Sequence, residues 1–178
     1  MRPEPGFSLL EFVLGLVILA IALVGVTLFF AAQPRQLDPV FQFRAVSLAE
    51  ALAEQILAVP YDAQNNPAMQ RRCDITAGAG VCSAAAGYGT EHEADRGIIT
   101  RFDDVDDFHD WCTSPVAGTR LAADLGLPDT ALYSRFQVTS CVTPQTDEAG
   151  QPYKQIRLTV RQVGSGELSL LLNRYNIR

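Results

Sequence analysis

A long apolar stretch near the start of the chain constrains what the chain can fold into. Residues 7–32 read FSLLEFVLGLVILAIALVGVTLFFAA, and Glu11 is their only charged residue. A helix rises ~1.5 Å per residue, so this stretch is long enough to cross a hydrocarbon core of ~30 Å. The sequence therefore predicts a membrane-spanning helix over residues 7–33, followed by a separate domain over residues 34–178.

Two simpler interpretations of the apolar stretch fit it less well. A secretory signal peptide has an apolar core of ~7–15 residues behind a positively charged region, whereas residues 1–6 carry one arginine and one glutamate. A plain membrane anchor explains the length but not Glu11, because a carboxylate costs about 2.5–3.5 kcal/mol at a helix centre and less near its end. Glu11 therefore indicates a task beyond anchoring.

The sequence Gly-Phe-Ser-Leu-Leu-Glu, from Gly6 to Glu11, closely resembles the leader junction of type IV prepilins and of type II secretion pseudopilins. The resemblance implies that residues 1–6 are a leader, that a prepilin peptidase cuts between Gly6 and Phe7, and that Phe7 is then N-methylated. It also implies that Glu11 pairs with the amino terminus of a neighbouring pilin subunit. The leader departs from the family in being barely basic, which weakens the positive-inside cue.

Four cysteines, Cys73, Cys82, Cys112 and Cys141, follow the apolar stretch. An even number of cysteines in a translocated domain indicates disulfides, for which three pairings exist. We favour Cys73–Cys82, which closes a small loop, and Cys112–Cys141, which joins a loop to a strand. A zinc site is the competing interpretation, but the chain has no CxxC pair and its two histidines do not stand at ligand spacing.

The pattern after the apolar stretch predicts a helix packed on a sheet. Two prolines, Pro34 and Pro39, predict a kink or a short break, and apolar residues then recur at helical spacing over residues 40–59. The residues of this stripe are Phe41, Ala45, Leu48, Ala49, Leu52, Ile56 and Val59. Residues 61–101 lack periodicity, which is typical of a long surface loop.

Alternation of apolar and polar residues predicts three antiparallel strands in the last third of the chain. The apolar positions are Phe136, Val138 and Val142, then Ile156, Leu158 and Val160, then Leu168, Leu170 and Leu172. The helix over residues 40–59 offers a stripe that covers their apolar face. The predicted fold is α+β and pilin-like, with a long N-terminal helix, first transmembrane and then amphipathic, packed on a C-terminal antiparallel β-meander.

The acidic stretch, residues 101–111, reads RFDDVDDFHDW. Its apolar residues repeat every three positions, which predicts a short helical or 3₁₀ turn with Phe102, Val105, Phe108 and Trp111 on one side. The simplest interpretation is that these residues enter the core and that the carboxylates stay in water. A calcium site is the alternative, and its candidate ligands are Asp103, Asp104, Asp106 and Asp107. No other cofactor is predicted.

Two segments, AVSLAEALAEQILAVPYD and FDDVDDFHDW, resemble the MshD group of minor pilin-like proteins from the mannose-sensitive haemagglutinin (MSHA) type IV pilus system. The resemblance implies a structural subunit that stands in the bacterial inner membrane, with its C-terminal domain in the periplasm, before it joins a pilus that serves cell adhesion. Its partners would be other pilin subunits, the prepilin peptidase and the inner membrane. The alternatives are a minor pseudopilin of a type II secretion system and a filament-tip adhesin or calcium-binding module.

The sequence argues against two further classes of function. A net charge of −6 disfavours nucleic-acid binding, because phosphate contacts need a basic face. The chain shows no nucleophile elbow, no HExxH and no cofactor loop. His109, next to the aspartates of the acidic stretch, is its only acid/base-like group, and we predict that the protein is not an enzyme.

Overall fold

The structure, a computed structural model, describes residues 9–32, 39–164 and 166–176. The chain divides into two units, residues 1–36 and residues 37–178. The described part of the first unit is one helix, α1, which spans Leu9–Ala32 and contains no proline. Gly6, Phe7 and the break predicted at Pro34 lie outside the described residues.

The second unit contains two more helices and a four-stranded antiparallel sheet. Helix α2 spans Pro39–Ala58 and helix α3 spans Gly118–Asp124. The strands are β1 (Val116–Ala117), β2 (Phe136–Thr146), β3 (Pro152–Gln162) and β4 (Glu167–Tyr175), in the order β1-β2-β3-β4. Short 3₁₀ turns fill much of the segment between α2 and β1, and the last of them, Asp106–Trp111, is called the acidic turn below. The α+β prediction is confirmed.

Helix α2 covers the sheet with the stripe predicted from its spacing. All seven residues of that stripe are buried. Pro39 begins the helix, a position where its missing N–H costs no hydrogen bond, and the helix ends before Pro60. Each large apolar side chain buried in this way stabilises the fold by about 1.5–3 kcal/mol, so α2 is an integral part of the core.

Strands β2, β3 and β4 pair in a continuous antiparallel ladder. Val138 lies opposite Val160, and Leu158 lies opposite Leu170, so one face of the sheet collects the apolar positions. The three predicted strands are confirmed. Strand β1 and helix α3 were not predicted, because two residues and seven residues are too short to show a period.

The apolar residues of the acidic stretch enter the core as predicted. Phe102, Val105, Phe108 and Trp111 are all buried. The ring centroid of Phe102 lies 4.9 Å from that of Phe108 and 5.1 Å from that of Trp111. This aromatic cluster fixes the acidic turn against the rest of the second unit.

Both disulfides of the favoured pairing are present. Cys73 is bonded to Cys82, and Cys112, directly after the acidic turn, is bonded to Cys141 on β2. The second bond therefore ties the acidic turn to the sheet. Since all four sulfurs are in disulfides, none of them is a free thiolate ligand for zinc.

Candidate functional site

Helix α1 is the first feature that calls for a function. The large apolar side chains of Leu9–Phe29 are exposed, and this segment is long and apolar enough to span a membrane. Glu11 lies in its first turn, is exposed, and makes no ion pair among the residues that the structure describes. The helix thus presents a continuous apolar surface that carries one carboxylate.

A buried ionic cluster around Lys154 is the second feature. Lys154 lies on β3 and is 1% exposed. Its Nζ donates hydrogen bonds to Tyr61 O at 2.7 Å and to Asp62 Oδ2 at 3.0 Å, and it forms an ion pair with Asp106 Oδ1. Two hydrogen bonds and an ion pair therefore surround the ammonium group, which has three N–H donors. We call Tyr61, Asp62, Tyr88, Asp104, Asp106 and Lys154 the Lys154 cluster.

Two aromatic rings enclose the ammonium group of Lys154. Its Nζ lies 4.3 Å from the ring centroid of Tyr61 and 5.2 Å from that of Tyr88. Both distances fall within the ~6 Å range of cation–π attraction. Burial raises the pKa of both tyrosines, that of Tyr61 to about 12, so the rings remain neutral walls of the cluster.

Asp62 accepts a backbone hydrogen bond at each of its two carboxylate oxygens. It is fully buried just beyond the end of α2. Its Oδ1 accepts a hydrogen bond from Gln64 N at 3.1 Å, and its Oδ2 accepts one from Ser83 N at 2.8 Å in addition to the bond from Lys154. Asp62 therefore joins the backbone of two segments to the ammonium group of Lys154.

Asp104 is also held by backbone donors. Its Oδ2 accepts from Ala63 N at 2.5 Å, and its Oδ1 accepts from Asp106 N at 2.6 Å and from Asp107 N at 3.3 Å. Burial raises its pKa to about 6, against the opposing effects of Lys154 and of these bonds. Asp104 therefore organises the start of the acidic turn and places a second carboxyl group close to Asp106.

Asp106 differs from both neighbours because no described backbone amide donates to it. Its Oδ2 is buried without a hydrogen-bond partner among the described residues, and its Oδ1 faces Lys154. Burial, and next the charge of Asp104, raise the pKa of Asp106 to about 7, although Lys154 opposes them. Asp106 therefore takes up a proton more readily than an ordinary aspartate does.

The prediction that the carboxylates of the acidic stretch stay in water is wrong for three of them. Asp104, Asp106 and Asp107 are 1%, 3% and 2% exposed, whereas Asp103 is exposed. Backbone N–H groups and Lys154 supply only part of the partners that buried carboxyl groups need, since Oδ2 of Asp106 and Oδ1 of Asp107 have none among the described residues.

The four candidate calcium ligands do not converge on one site. Asp104 bonds to backbone amides and Asp106 faces Lys154. Asp103 and Asp107 lie near Glu91, with carboxylate oxygens within 4.8 Å of one another. Oδ2 of Asp107 already accepts from Asp103 N at 2.8 Å. Two exposed carboxylates beside one that is already bonded do not by themselves identify a metal site.

His109 does not form an acid/base group with the aspartates around it. Its Nδ1 lies 2.9 Å from Val142 O and 3.2 Å from Val142 N, so its ring is fixed on the backbone of β2. Asp110 instead accepts from Thr90 Oγ1 at 2.8 Å and pairs with Arg96 at 3.8 Å. The ring and the carboxylates serve separate structural contacts.

An open cavity of about 620 Å³ borders the Lys154 cluster. Tyr61, Tyr88 and Lys154 line it together with Ser83 and Asn176. The cluster is therefore buried but lies next to a path to solvent.

The order of elements, a long apolar helix followed by a second helix on an antiparallel sheet, is compatible with the layout of pilins. Comparisons of the chain with protein-family models, with curated proteins and with solved structures found no match.

Proposed function

We propose that this chain is a minor pilin-like structural subunit of a type IV pilus of the MSHA type. The observation that carries the proposal is α1, a 24-residue apolar helix, exposed along its described side chains, with Glu11 as its one charge. Apolar surfaces of this size mark contact with a membrane or with other proteins. A helix that serves first in lipid and then against the helices of neighbouring subunits accounts for both the surface and the carboxylate.

The proposed location before assembly is the bacterial inner membrane, with α1 spanning it and residues 37–178 in the periplasm. The two disulfides support this location, because disulfides persist in oxidising compartments such as the periplasm and are rare in the cytosol. After extraction from the membrane, the same helix would lie in the core of the filament.

In this proposal a prepilin peptidase cuts between Gly6 and Phe7, and the new amino terminus of Phe7 is methylated but stays cationic. Glu11 then follows that amine by about one helical turn. A carboxylate in an apolar environment is costly alone and is stabilised by an opposite charge. Pairing of Glu11 with the amine of a neighbouring subunit would therefore set the register of the helices in the filament.

The folded second unit is, in this proposal, a structural and contact-forming domain rather than a catalytic one. Its core is closed by α2, the sheet and two disulfides, which suits a module that must survive extraction from the membrane and exposure on a filament. Its surface would contact other pilin subunits and contribute to cell adhesion.

The cleavage step is tested with the substitution Gly6→Val, expressed in a host that carries the pilus system. We expect uncleaved, membrane-bound protein, since the peptidase recognises the glycine before the cut. Gly15→Val, within α1, is the matched control and should be cleaved normally. A mature Gly6→Val protein that begins at Phe7, detected by mass spectrometry, would contradict the leader assignment.

The assembly step is tested with the substitution Glu11→Ala. The variant should be cleaved and held in the membrane, but it should be absent or strongly depleted in sheared filaments, as measured by immunoblotting. Glu54→Ala, an exposed glutamate on α2, controls for the loss of a carboxylate. Incorporation of Glu11→Ala at the wild-type level would contradict the proposed pairing of Glu11.

A deletion strain distinguishes the pilus from the alternative function. If a strain that lacks this chain keeps its pili but loses protein secretion, the chain belongs to a type II secretion pseudopilus instead.

A further inference from the structure

Lys154 is the only lysine of the sequence, whose other 13 cationic residues are arginines. Arginine is the usual choice for buried ion pairs, because its planar group binds carboxylates through two bonds. A lysine has one property that arginine lacks: once its ammonium group has given a proton to a neighbouring base, the amine acts as a nucleophile. The single lysine of this chain is held in the core against two carboxyl groups.

We propose that Lys154 and Asp106 form an intramolecular isopeptide bond, an amide between Lys154 Nζ and Asp106 Cγ, with Asp62 as the base that assists its formation. The inference depends only on the Lys154 cluster and stands whether or not the chain is a pilin. It assigns a covalent modification to two residues of the core.

Lys154 is in contact with the carboxyl groups of Asp62 and Asp106. The amide forms with Asp106 because its carboxyl carbon is the more electrophilic of the two. A backbone N–H donates to each oxygen of Asp62, so neither of its oxygens is without a partner. Asp106 has no such donor among the described residues, and its Oδ2 is free. Its raised pKa, about 7, favours the neutral acid, which a nucleophile can attack.

The reaction needs no oxidant, metal or other reagent. The ammonium proton of Lys154 passes to Asp106, which leaves a neutral amine beside a neutral acid. The amine lone pair forms a bond to Asp106 Cγ and gives a tetrahedral intermediate. Asp62, whose Oδ2 lies 3.0 Å from Nζ, takes a proton from the nitrogen and returns it to the hydroxyl group of the intermediate. The C–O bond then breaks, and one water leaves as the amide forms.

The surroundings of Lys154 and Asp106 favour both the formation of the amide and its resistance to hydrolysis. Holding two reacting groups in contact removes most of the entropic barrier to a bimolecular step. Burial of Lys154 and Asp106, with the rings of Tyr61 and Tyr88 beside the nitrogen, limits the access of water for hydrolysis. The adjoining cavity gives the released water a way out. The remaining amide N–H retains Tyr61 O, now 2.7 Å from Nζ, as an acceptor.

The bond would tie the acidic turn to β3, a central strand of the sheet. The Cys112–Cys141 disulfide already ties the end of the same turn to β2. Two covalent links would then hold one short element to two adjacent strands, and only one of them would depend on the redox state.

The test uses the full chain, purified from membranes in detergent, reduced and alkylated. The intact mass should be lower than the sequence mass, corrected for any N-terminal processing and for alkylation, by one water molecule. Trypsin should fail to cut after Lys154, so that residues 136–157 stay together and appear linked to residues 102–120, the tryptic peptide that contains Asp106. Full cleavage after Lys154 with no loss of water mass would overturn the proposal, as would a link to the peptide that contains Asp62.

Two variants separate the bond from a simple ion pair. Lys154→Arg keeps the charge but cannot form the amide, and its mass should show no loss of water. Asp62→Asn should leave most of the chain unlinked, with its Lys154 amine open to dimethylation in denaturant. Asp103→Asn, an exposed aspartate of the same stretch, is the matched control and should remain linked. A fully linked Asp62→Asn chain would overturn the assignment of Asp62 as the base.

Discussion

Asp107 is a buried carboxyl group of the acidic stretch that makes no ion pair among the described residues. Burial raises its pKa to about 7, with nearby Asp104 and Glu91 acting in the same direction and two backbone hydrogen bonds opposing them. An unfolded aspartate has a pKa of about 3.9. The folded chain therefore binds this proton more tightly than the unfolded chain does. The stability that the protonated group contributes is present at low pH and is lost as the pH rises through about 7.

We therefore predict that the free energy of unfolding falls between pH 5 and pH 8, and that Asp107→Asn reduces this fall by on the order of 2 kcal/mol. The measurement is urea denaturation of the full chain in detergent, followed by the fluorescence of Trp111. Trp111 is the only tryptophan of the sequence and is buried, so its signal reports the second unit. Asp103→Asn, at an exposed position, should leave the pH dependence unchanged, and an equal change in both variants would contradict the assignment to Asp107.

Gly118 is a residue whose lack of a side chain is required by packing. A Cβ at this position would lie 2.6 Å from Tyr133 O and 2.8 Å from Phe136 Cβ, and neither atom is the end of a flexible side chain. Gly118→Ala should therefore destabilise the second unit by about 1–3 kcal/mol, measured as a lower urea midpoint. Gly87→Ala is the control, because a Cβ there meets no atom within 4 Å. Equal midpoints for the two variants would show that the segment around Gly118 yields without cost.

The alternation of apolar and polar residues along β3 was enough to predict that Lys154 is buried. Lys154 stands two positions before Ile156 and four before Leu158, so it shares their inward face on β3. A lysine on an apolar face needs a buried acidic partner, and the acidic stretch is the obvious source. The burial of Asp62 was not predictable in this way, because it depends on Ser83 and Gln64 in a segment without periodicity.

Helix α2 illustrates how far the pattern of an element predicts its packing. Leu52 and Leu57 stand on the same helix, yet Leu52 is fully buried and Leu57 is 46% exposed. We predict that Leu52→Ala lowers the free energy of unfolding by about 2–5 kcal/mol, because it leaves a cavity under the sheet. Leu57→Ala, the same change on the outer face, should cost less than about 1 kcal/mol. Similar urea midpoints for the two variants would contradict the observed orientation of α2.

Other elements show where prediction from the pattern ends. Strand β1 exists because Val116 and Ala117 meet Val138 and Gln137 on β2, a pairing set by the fold and not by a local period. Helix α3 follows it directly and buries Leu121 and Ala122 within one turn. Elements of this length obtain their stability from tertiary contacts, which local spacing does not report.

At the scale of the whole molecule, the two units differ in whether their apolar side chains are exposed or buried. The large apolar side chains of Leu9–Phe29 are exposed, whereas the second unit has a continuous core built from α2, the acidic stretch and the sheet. This difference is predictable from the sequence, because a long apolar run indicates a membrane-spanning helix and an alternating pattern indicates a strand with one buried face.

The second unit should therefore fold without the first. A chain that begins at Leu37 retains every residue of the core cluster, while the apolar helix that requires detergent is removed. We expect this chain to be soluble without detergent, to keep both disulfides, and to unfold at the urea midpoint of the full chain measured by Trp111 fluorescence. The full chain should partition into membranes and the shortened chain should not. A shortened chain that aggregates, or unfolds at a clearly lower midpoint, would show that α1 contributes to the core as well as to anchoring.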